Sequence, residues 1–146
     1  WGHSCAITDT GALKCWGKND YGQLGDGTLR DHRHPVDVVG LSSGVVAVSL
    51  GTEHTCALTD AGAVKCWGYN QHGQLGNGTR HQSRVPVDVV GLSSGMTAVS
   101  AGFAHTCAST FEGEIRCWGQ NQYGPLGDGT THDRRQPVDV IGFVGP

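Results

Sequence analysis

Three pairs of cysteines, each preceded by a histidine, are the residues of this 146-residue chain whose types and spacing could do chemistry. The histidine stands two residues before the first cysteine, and the second cysteine follows ten residues later. The central set is His54, Cys56 and Cys66. Such a set can form a disulfide, stay reduced in a protein core, or supply ligands to a zinc ion. The three pairs are Cys5 and Cys15, Cys56 and Cys66, and Cys107 and Cys117.

The sequence around the cysteines favours disulfides. Residues 54–67 read as a β-hairpin whose turn centres on Ala61, which places Cys56 directly opposite Cys66. Facing residues on antiparallel strands are close enough for a disulfide, and such bridges persist in oxidising compartments. A zinc site would have only three ligands and lacks paired Cys-x-x-Cys motifs. We expect three disulfides, no metal, and an extracellular, periplasmic or cell-surface location; reduced buried cysteines and a zinc site are the alternatives.

The repetition of these residues argues against an active site. Each candidate set of Cys, His and Asp recurs three times, whereas an active site is normally assembled once from unlike residues in one cleft. The glycine-rich segment 73–78 precedes no predicted helix and has no Gly-Lys-Ser/Thr sequence, so it reads as a turn rather than a phosphate-binding loop. We therefore expect no enzymatic activity and no cofactor.

A repeat of 51 residues positions all of these groups. The tryptophans Trp16, Trp67 and Trp118 keep this spacing, and no insertion or deletion interrupts it. The chain divides into an incomplete repeat at residues 1–44 and two full repeats at 45–95 and 96–146. The first repeat lacks a counterpart of the strand-like segment 45–51, so the predicted unit is one domain with a missing strand.

Each full repeat contains four segments typical of short β-strands. In the second repeat they are residues 45–50, 54–59, 63–67 and 85–90, which are rich in apolar and β-branched side chains. The loop Asp60-Ala61-Gly62 joins the second segment to the third, and its glycine suits a hairpin turn. No segment has a helical apolar period, so the predicted fold class is all-β. Four antiparallel strands in a unit of about 50 residues match one blade of a β-propeller.

The motifs of the repeat resemble a known family. Residues 53–79 contain His-Thr-Cys-Ala-Leu, a turn glycine, and then Trp-Gly-Tyr-Asn-Gln-His-Gly-Gln-Leu-Gly. This pattern is similar to the RCC1 repeat, named for the regulator of chromosome condensation, and the similarity covers all three repeats. The resemblance implies a propeller that usually has seven blades. The chain departs from the family pattern at the cysteines, where the family usually has apolar or hydroxyl residues.

Positions that are identical in the three repeats are expected to serve packing that is common to every blade. They include His54, Trp67 and Asn70. We expect the tryptophan to lie between blades on the same face as Ala57, and the histidine to tie backbone together between strands or blades. Arg33, Arg84 and Arg135, with Asp37, Asp88 and Asp139, are expected to form structural ion pairs or hydrogen bonds to loop carbonyls.

Positions that differ between repeats are candidates for function. They cluster in residues 29–34, 80–85 and 131–136, which are rich in arginine and histidine, and also at residues 18, 20 and their counterparts. Such a surface is mildly basic and pH-sensitive and suits an acidic protein or a glycan; an ordinary solvated loop is the alternative. The candidate binding residues are Arg30, His32, His34, Arg80, His81, His132, Arg134 and Arg135.

Charge and composition argue against two classes of partner, nucleic acids and membranes. The net charge is -3, so there is no overall basic field for nucleic acid, and no apolar run is long enough to span a bilayer. We predict a non-enzymatic protein-binding propeller that is secreted or on the cell surface and presents variable loops on a disulfide-pinned scaffold. A similar bacterial propeller family inhibits β-lactamases through loops on one face, which favours this class.

Two other functions are alternatives. One is a glycan-binding propeller. The other is the activity for which the RCC1 family is named, guanine-nucleotide exchange with chromatin binding, which would need a reducing compartment and an insertion that the strict repeat leaves no room for. Three blades cannot close a ring, so we also expect further blades, from a longer chain or a second copy, to complete a ring of six or seven.

Overall fold

The computed structural model describes residues 2–143, which form three antiparallel sheets and confirm the all-β propeller prediction. We call these sheets blades 1, 2 and 3, and within each blade the strands follow chain order. Blade 1 contains β1 (His3–Ile7), β2 (Leu13–Gly17) and β3 (His32–Asp37); blade 2 contains β4 (Val45–Leu50), β5 (His54–Thr59), β6 (Val64–Gly68) and β7 (Ser83–Asp88); blade 3 contains β8 (Met96–Ala101), β9 (His105–Thr110), β10 (Ile115–Gly119) and β11 (Arg134–Asp139). The described residues contain no helix that could cross a membrane.

Each blade contains the predicted hairpin, formed by β1 and β2, β5 and β6, or β9 and β10, and its register pairs the cysteines. Cys56 faces Cys66, and the two are bridged with their Cα atoms 4.1 Å apart. The same bridge joins Cys5 to Cys15 and Cys107 to Cys117, which confirms the predicted pairing. Because both sulfurs of each pair are used, the predicted alternatives of reduced cysteine and zinc-bound thiolate do not apply to this structure.

Two strands have bounds that differ from the prediction. The third strand of blade 2 begins at Val64 because the Ala63 carbonyl accepts a hydrogen bond from Thr59 N at 3.0 Å and belongs to the turn. Gly62 supplies the left-handed residue of that turn, with φ of 78°. The fourth strand covers Ser83–Asp88 instead of 85–90, because Val90 N bonds to Gly76 O at 2.9 Å and the chain has left the sheet edge.

The hydrophobic core lies between the blades. The first strands of blades 2 and 3, β4 and β8, contact each other, and Ser49 Oγ accepts a hydrogen bond from Ala101 N at 2.9 Å. Trp67 packs with Ala57 of its own blade against Leu13 and Leu24 of blade 1. Trp118 occupies the same position between blades 2 and 3. Both tryptophans are fully buried, so the prediction of an inter-blade tryptophan is confirmed.

The repeated histidine joins blades as predicted, but its partner is a side-chain hydroxyl and not the predicted backbone group. His3 Nε2 lies 2.9 Å from the Thr55 hydroxyl of blade 2, and this hydroxyl donates to the Gln23 carbonyl at 2.7 Å. Because the single hydroxyl proton goes to the carbonyl, the histidine must be the donor in the first bond. Trp67 Nε1 donates to the same carbonyl at 2.9 Å. The histidine therefore contacts a side-chain hydroxyl of the next blade.

His54 repeats this bond with Thr106 of blade 3, also at 2.9 Å. Burial lowers the pKa of His54 to about 3 and the pKa of His3 to about 4. Both imidazoles are consequently neutral at pH 7, which matches their role as Nε2–H donors.

The predicted ion pair between Arg84 and Asp88 is wrong, because a different basic residue pairs with Asp88. Asp88 instead accepts a hydrogen bond from Lys65 Nζ at 2.6 Å. Lys65 and Asp88 face each other in the register of β6 and β7, whereas Arg84 lies on the same strand as Asp88. The equivalent aspartates Asp37 and Asp139 pair with Lys14 at 2.6 Å and Arg116 at 3.2 Å.

Candidate functional site

Three loops lead into the last strand of each blade, joining β2 to β3, β6 to β7 and β10 to β11, and we call them together the loop rim: residues 18–31, 69–82 and 120–133. A buried asparagine holds each loop. In blade 2, Asn70 Nδ2 donates to the carbonyls of Thr79 at 3.1 Å and His81 at 2.9 Å, while its Oδ1 accepts from Leu75 N at 3.0 Å. Asn19 and Asn121 make the equivalent bonds. The loop backbones are therefore held by a repeated residue, and their exposed side chains can vary.

The rim loops contact one another in series. Gly27 N of blade 1 donates at 3.0 Å to the carbonyl of Arg84, which lies in β7 just after the rim loop of blade 2. The rings of Tyr21 and Tyr69 lie 4.7 Å apart across the same boundary. Between blades 2 and 3, His72 Nδ1 lies 2.9 Å from Asp133 Oδ2. The three loops thus form one continuous surface at one end of the sheets.

Most of the predicted binding residues are exposed on or beside this surface. Arg30, His81 and His132 occupy equivalent positions: the buried asparagine holds the backbone carbonyl, and the side chain is free to face solvent. The predicted residues with exposed side chains are Arg30, His34, Arg80, His81, His132 and Arg135. Their role in binding stays a prediction.

The other two predicted residues, His32 and Arg134, begin β3 and β11 and are half-buried against acidic residues of the rim loops that precede them. His32 Nε2 lies 2.8 Å from Asp26 Oδ2, and Arg134 Nε donates to Asp128 Oδ2 at 2.7 Å. Burial alone would raise the pKa of Asp128, but hydrogen bonds from Thr130, Arg134 and Asn121 outweigh it and hold that pKa well below its usual range. Asp128 therefore stays ionised and neutralises Arg134.

Blade 2 has different residues at the positions of these charge pairs. Asn77 and Ser83 stand where the neighbouring blades have the aspartate and its basic partner, so this loop contains no such charge pair. Beside it is an open cleft of about 380 Å³, which is lined by Tyr69, Asn70, Gln71, Arg80 and Gln82. Tyr69 and Arg80 differ from their counterparts in both other blades, whereas Gln71 has the same residue type as Gln122 of blade 3.

The aromatic contacts between loops were not predicted. Tyr21, His72 and Tyr123 occupy equivalent positions and also differ between repeats, so the same comparison could have identified them. Within residues 2–143, no group of three or more His, Cys, Asp and Glu side chains could hold a metal ion.

The similarity of this chain to known proteins lies in its repeat. A family model described as the regulator of chromosome condensation (RCC1) repeat matches residues 10–58, 61–109 and 112–145. The human E3 ubiquitin-protein ligase HERC2 is 38% identical over 141 residues, covering 95% of this chain and 3% of that protein. The ultraviolet-B receptor UVR8 of Arabidopsis thaliana is 37% identical over 139 residues, covering 94% of this chain and 32% of the receptor.

A solved structure has the same fold. Human WBSCR16 matches with a TM-score of 0.82 and 26% sequence identity, over 94% of this chain and 37% of that chain. The chain thus spans about a third or less of each protein to which it is similar.

Proposed function

This chain belongs to the RCC1 repeat family, and from that premise we propose that it is a non-enzymatic protein-binding module whose loop rim contacts a partner protein. The observation that carries the proposal is the construction of the rim. The loop backbones are held by the same asparagine bonds in each blade, while the exposed side chains differ. A rigid scaffold that presents variable loop residues is a common design for recognition.

The disulfides support a location outside the cytosol. Three bridges join strands within single hairpins, and no described cysteine is free. Such bridges persist in the extracellular space, on cell surfaces and in the periplasm, whereas cytosolic thiols are kept reduced. We therefore place the module in one of these oxidising compartments, where its partner would be another secreted or surface protein.

Further blades belong to the proposed assembly. His105 stands at the position of His54, but within residues 2–143 no following blade offers it a hydroxyl, and it is half-buried. At the other end, Ser4 and half-buried Trp16 stand at the positions of Thr55 and Trp67. These two ends are complementary halves of the inter-blade contact. We propose that further blades of a longer chain, or a second copy, cover them.

A binding experiment tests the rim. Cross-linking in medium and surface fractions identifies a partner, whose affinity is then measured against two variants. The rim variant has serine at the six exposed candidate positions, Arg30, His34, Arg80, His81, His132 and Arg135. The control variant carries serine at Asp9, Asp60 and Glu112, in the hairpin turns at the opposite ends of the sheets. The rim variant should lose binding with an unchanged melting temperature, and the control variant should retain it.

Two outcomes would contradict the proposal. Equal loss of binding in both variants would show that the rim is not the interface. A drop in the melting temperature of the rim variant that matches its loss of binding would show that these residues stabilise the fold instead.

A thiol count under denaturing, non-reducing conditions tests the proposed compartment. Six blocked thiols support it, whereas six free thiols would favour the intracellular nucleotide-exchange alternative.

A further inference from the structure

One backbone amide of the loop rim is bonded in blades 1 and 3 but not in blade 2. Asn19 N donates to Asp31 Oδ1 at 2.8 Å, and Asn121 N donates to Asp133 Oδ1 at 2.9 Å. In blade 2 the equivalent acidic position is Gln82, which carries no carboxylate. Within residues 2–143 no acceptor is hydrogen-bonded to the Asn70 amide. Two blades therefore show which chemical group this position accepts, and the third blade lacks it.

The residue that contains this amide, Asn70, lines the cleft of blade 2. Asn70 and Gln82 line it together with Arg80. Arg80 is exposed, and within residues 2–143 it forms no salt bridge, unlike Arg134 beside Asp128. The counterparts of Arg80 are Leu29 and Thr131, so only blade 2 has a cation at this position. An unbonded amide and an unpaired guanidinium on one cleft favour an anionic oxygen ligand.

Tyr69 forms an apolar wall of the cleft. Its ring lies 4.7 Å from the ring of Tyr21 and 6.4 Å from that of His72, and its hydroxyl donates to Gln71 Oε1. These contacts restrain the ring. A planar aromatic wall beside a polar pair can pack against the methylene groups of a side chain while the polar pair binds its carboxylate.

We infer that this cleft binds a carboxylate of the partner protein, presented by an aspartate or glutamate in an extended segment. Asn70 is fully buried, so the exposed Gln82 side chain must move aside before the carboxylate oxygen can take the place that Asp31 and Asp133 occupy in the other blades and accept the Asn70 amide hydrogen. Arg80 pairs with the same group. A peptide carboxylate fits because the occupants in blades 1 and 3 are themselves aspartates of a peptide loop. This inference rests on the proposed function, since it specifies the chemistry of one part of the loop rim.

The first test is a titration followed by amide NMR on the ¹⁵N-labelled chain. The probe is N-acetyl-aspartate α-amide, which carries one carboxylate, and its neutral asparagine analogue is the control. The Asn70 amide should move downfield and saturate with the first probe only. The amides of Asn19 and Asn121 are internal references and should not move, because they already have carboxylate acceptors. Absence of an Asn70 shift, or an equal shift of all three amides, would overturn the inference.

Substitutions sharpen this test. Gln82→Asp supplies the carboxylate that blades 1 and 3 have, so it should shift the Asn70 amide without probe and abolish probe binding, while the rest of the spectrum stays folded. Arg80→Gln should weaken the probe about fivefold, as expected for one exposed charge contact. Arg84→Gln, at another exposed arginine of the same blade, is the matched control and should bind normally. Equal weakening by both arginine variants would overturn the role of Arg80.

Two comparisons separate this inference from the proposed function and from a glycan ligand. If the serine rim variant loses the partner but Gln82→Asp retains it, the carboxylate inference fails and the protein-binding function stands. If the probe binds at Asn70 but the partner binds the rim variant with unchanged affinity, the proposed function fails instead. Glucuronate serves as a third probe, and tighter saturation by glucuronate than by the aspartate amide would assign the cleft to an acidic sugar and overturn the protein ligand.

Discussion

The hydrogen bonds that join the blades repeat along the chain, whereas the side-chain contacts of the loop rim change from blade to blade. The histidine–threonine distance is 2.9 Å at both blade boundaries, and the tryptophan–carbonyl distance is also 2.9 Å at both. In the rim, a histidine stands beside Asp26, an arginine pairs with Asp128, and blade 2 has neither charge. Repetition therefore marks the positions that hold the fold, and variation marks the positions that are free to take on a blade-specific role.

The largest expected effect is at the blade boundary. Trp67→Ala removes a fully buried indole and its bond to Gln23, and we expect a loss of about 3–5 kcal/mol in the free energy of unfolding. Trp16→Ala is the control, because the same residue type at the equivalent position is only half-buried and should cost much less. Urea denaturation measures both. Equal losses would mean that contacts between blades do not determine stability.

The disulfides should contribute equally in different blades. Replacing Cys56 and Cys66 together with serine should lower the free energy of unfolding by about 2–3 kcal/mol, the range expected for a short closed loop. The Cys107 and Cys117 double variant should lose a similar amount, because each bridge spans ten residues of sequence. Denaturation under non-reducing conditions compares them. A loss confined to one blade would show that the bridges are not an equivalent part of the scaffold.

Acid should weaken the blade boundary through its histidines. The pKa of His54 is about 3 in the folded chain and about 6.5 when unfolded, so the unfolded chain binds more protons between these values. Stability should therefore fall as the pH drops from 6.5, by at most about 1.4 kcal/mol per pH unit for this one group. Denaturation at pH values between 7 and 4.5 tests this. His54→Gln should be less stable at pH 7 but have a shallower slope, and an unchanged slope would contradict the assignment.

The smallest expected effects are at the first two residues of β11, next to the rim loop of blade 3. Arg134→Ser removes a pair with a nearly buried aspartate and should cost about 1 kcal/mol of unfolding free energy. Arg135→Ser changes an exposed neighbour and should stay within about 0.5 kcal/mol. Thermal denaturation of the two single variants makes the comparison. If Arg135→Ser were the more destabilising change, the distinction between Arg134, which is paired with Asp128, and the exposed Arg135 would be wrong.

Local patterns were sufficient to predict the blade and its bridges. The 51-residue period, the alternation of apolar residues and the turn at Gly62 together define a hairpin, and the register of a hairpin determines that Cys56 faces Cys66. These features depend on residues close together in sequence. Strand boundaries were less predictable, because β7 ends where Val90 bonds to the distant Gly76.

The contacts between distant residues were decided only by the tertiary structure. Repetition identified His54 as a scaffold residue, but its partner Thr106 is 52 residues away, on the next blade. Likewise, the comparison of repeats marked Tyr69 and Arg80 as different without showing that they share a cleft with the Asn70 amide. A sequence period establishes which residues are equivalent. Which groups meet across blades depends on how neighbouring sheets pack, and that geometry arises only when the whole arc has folded.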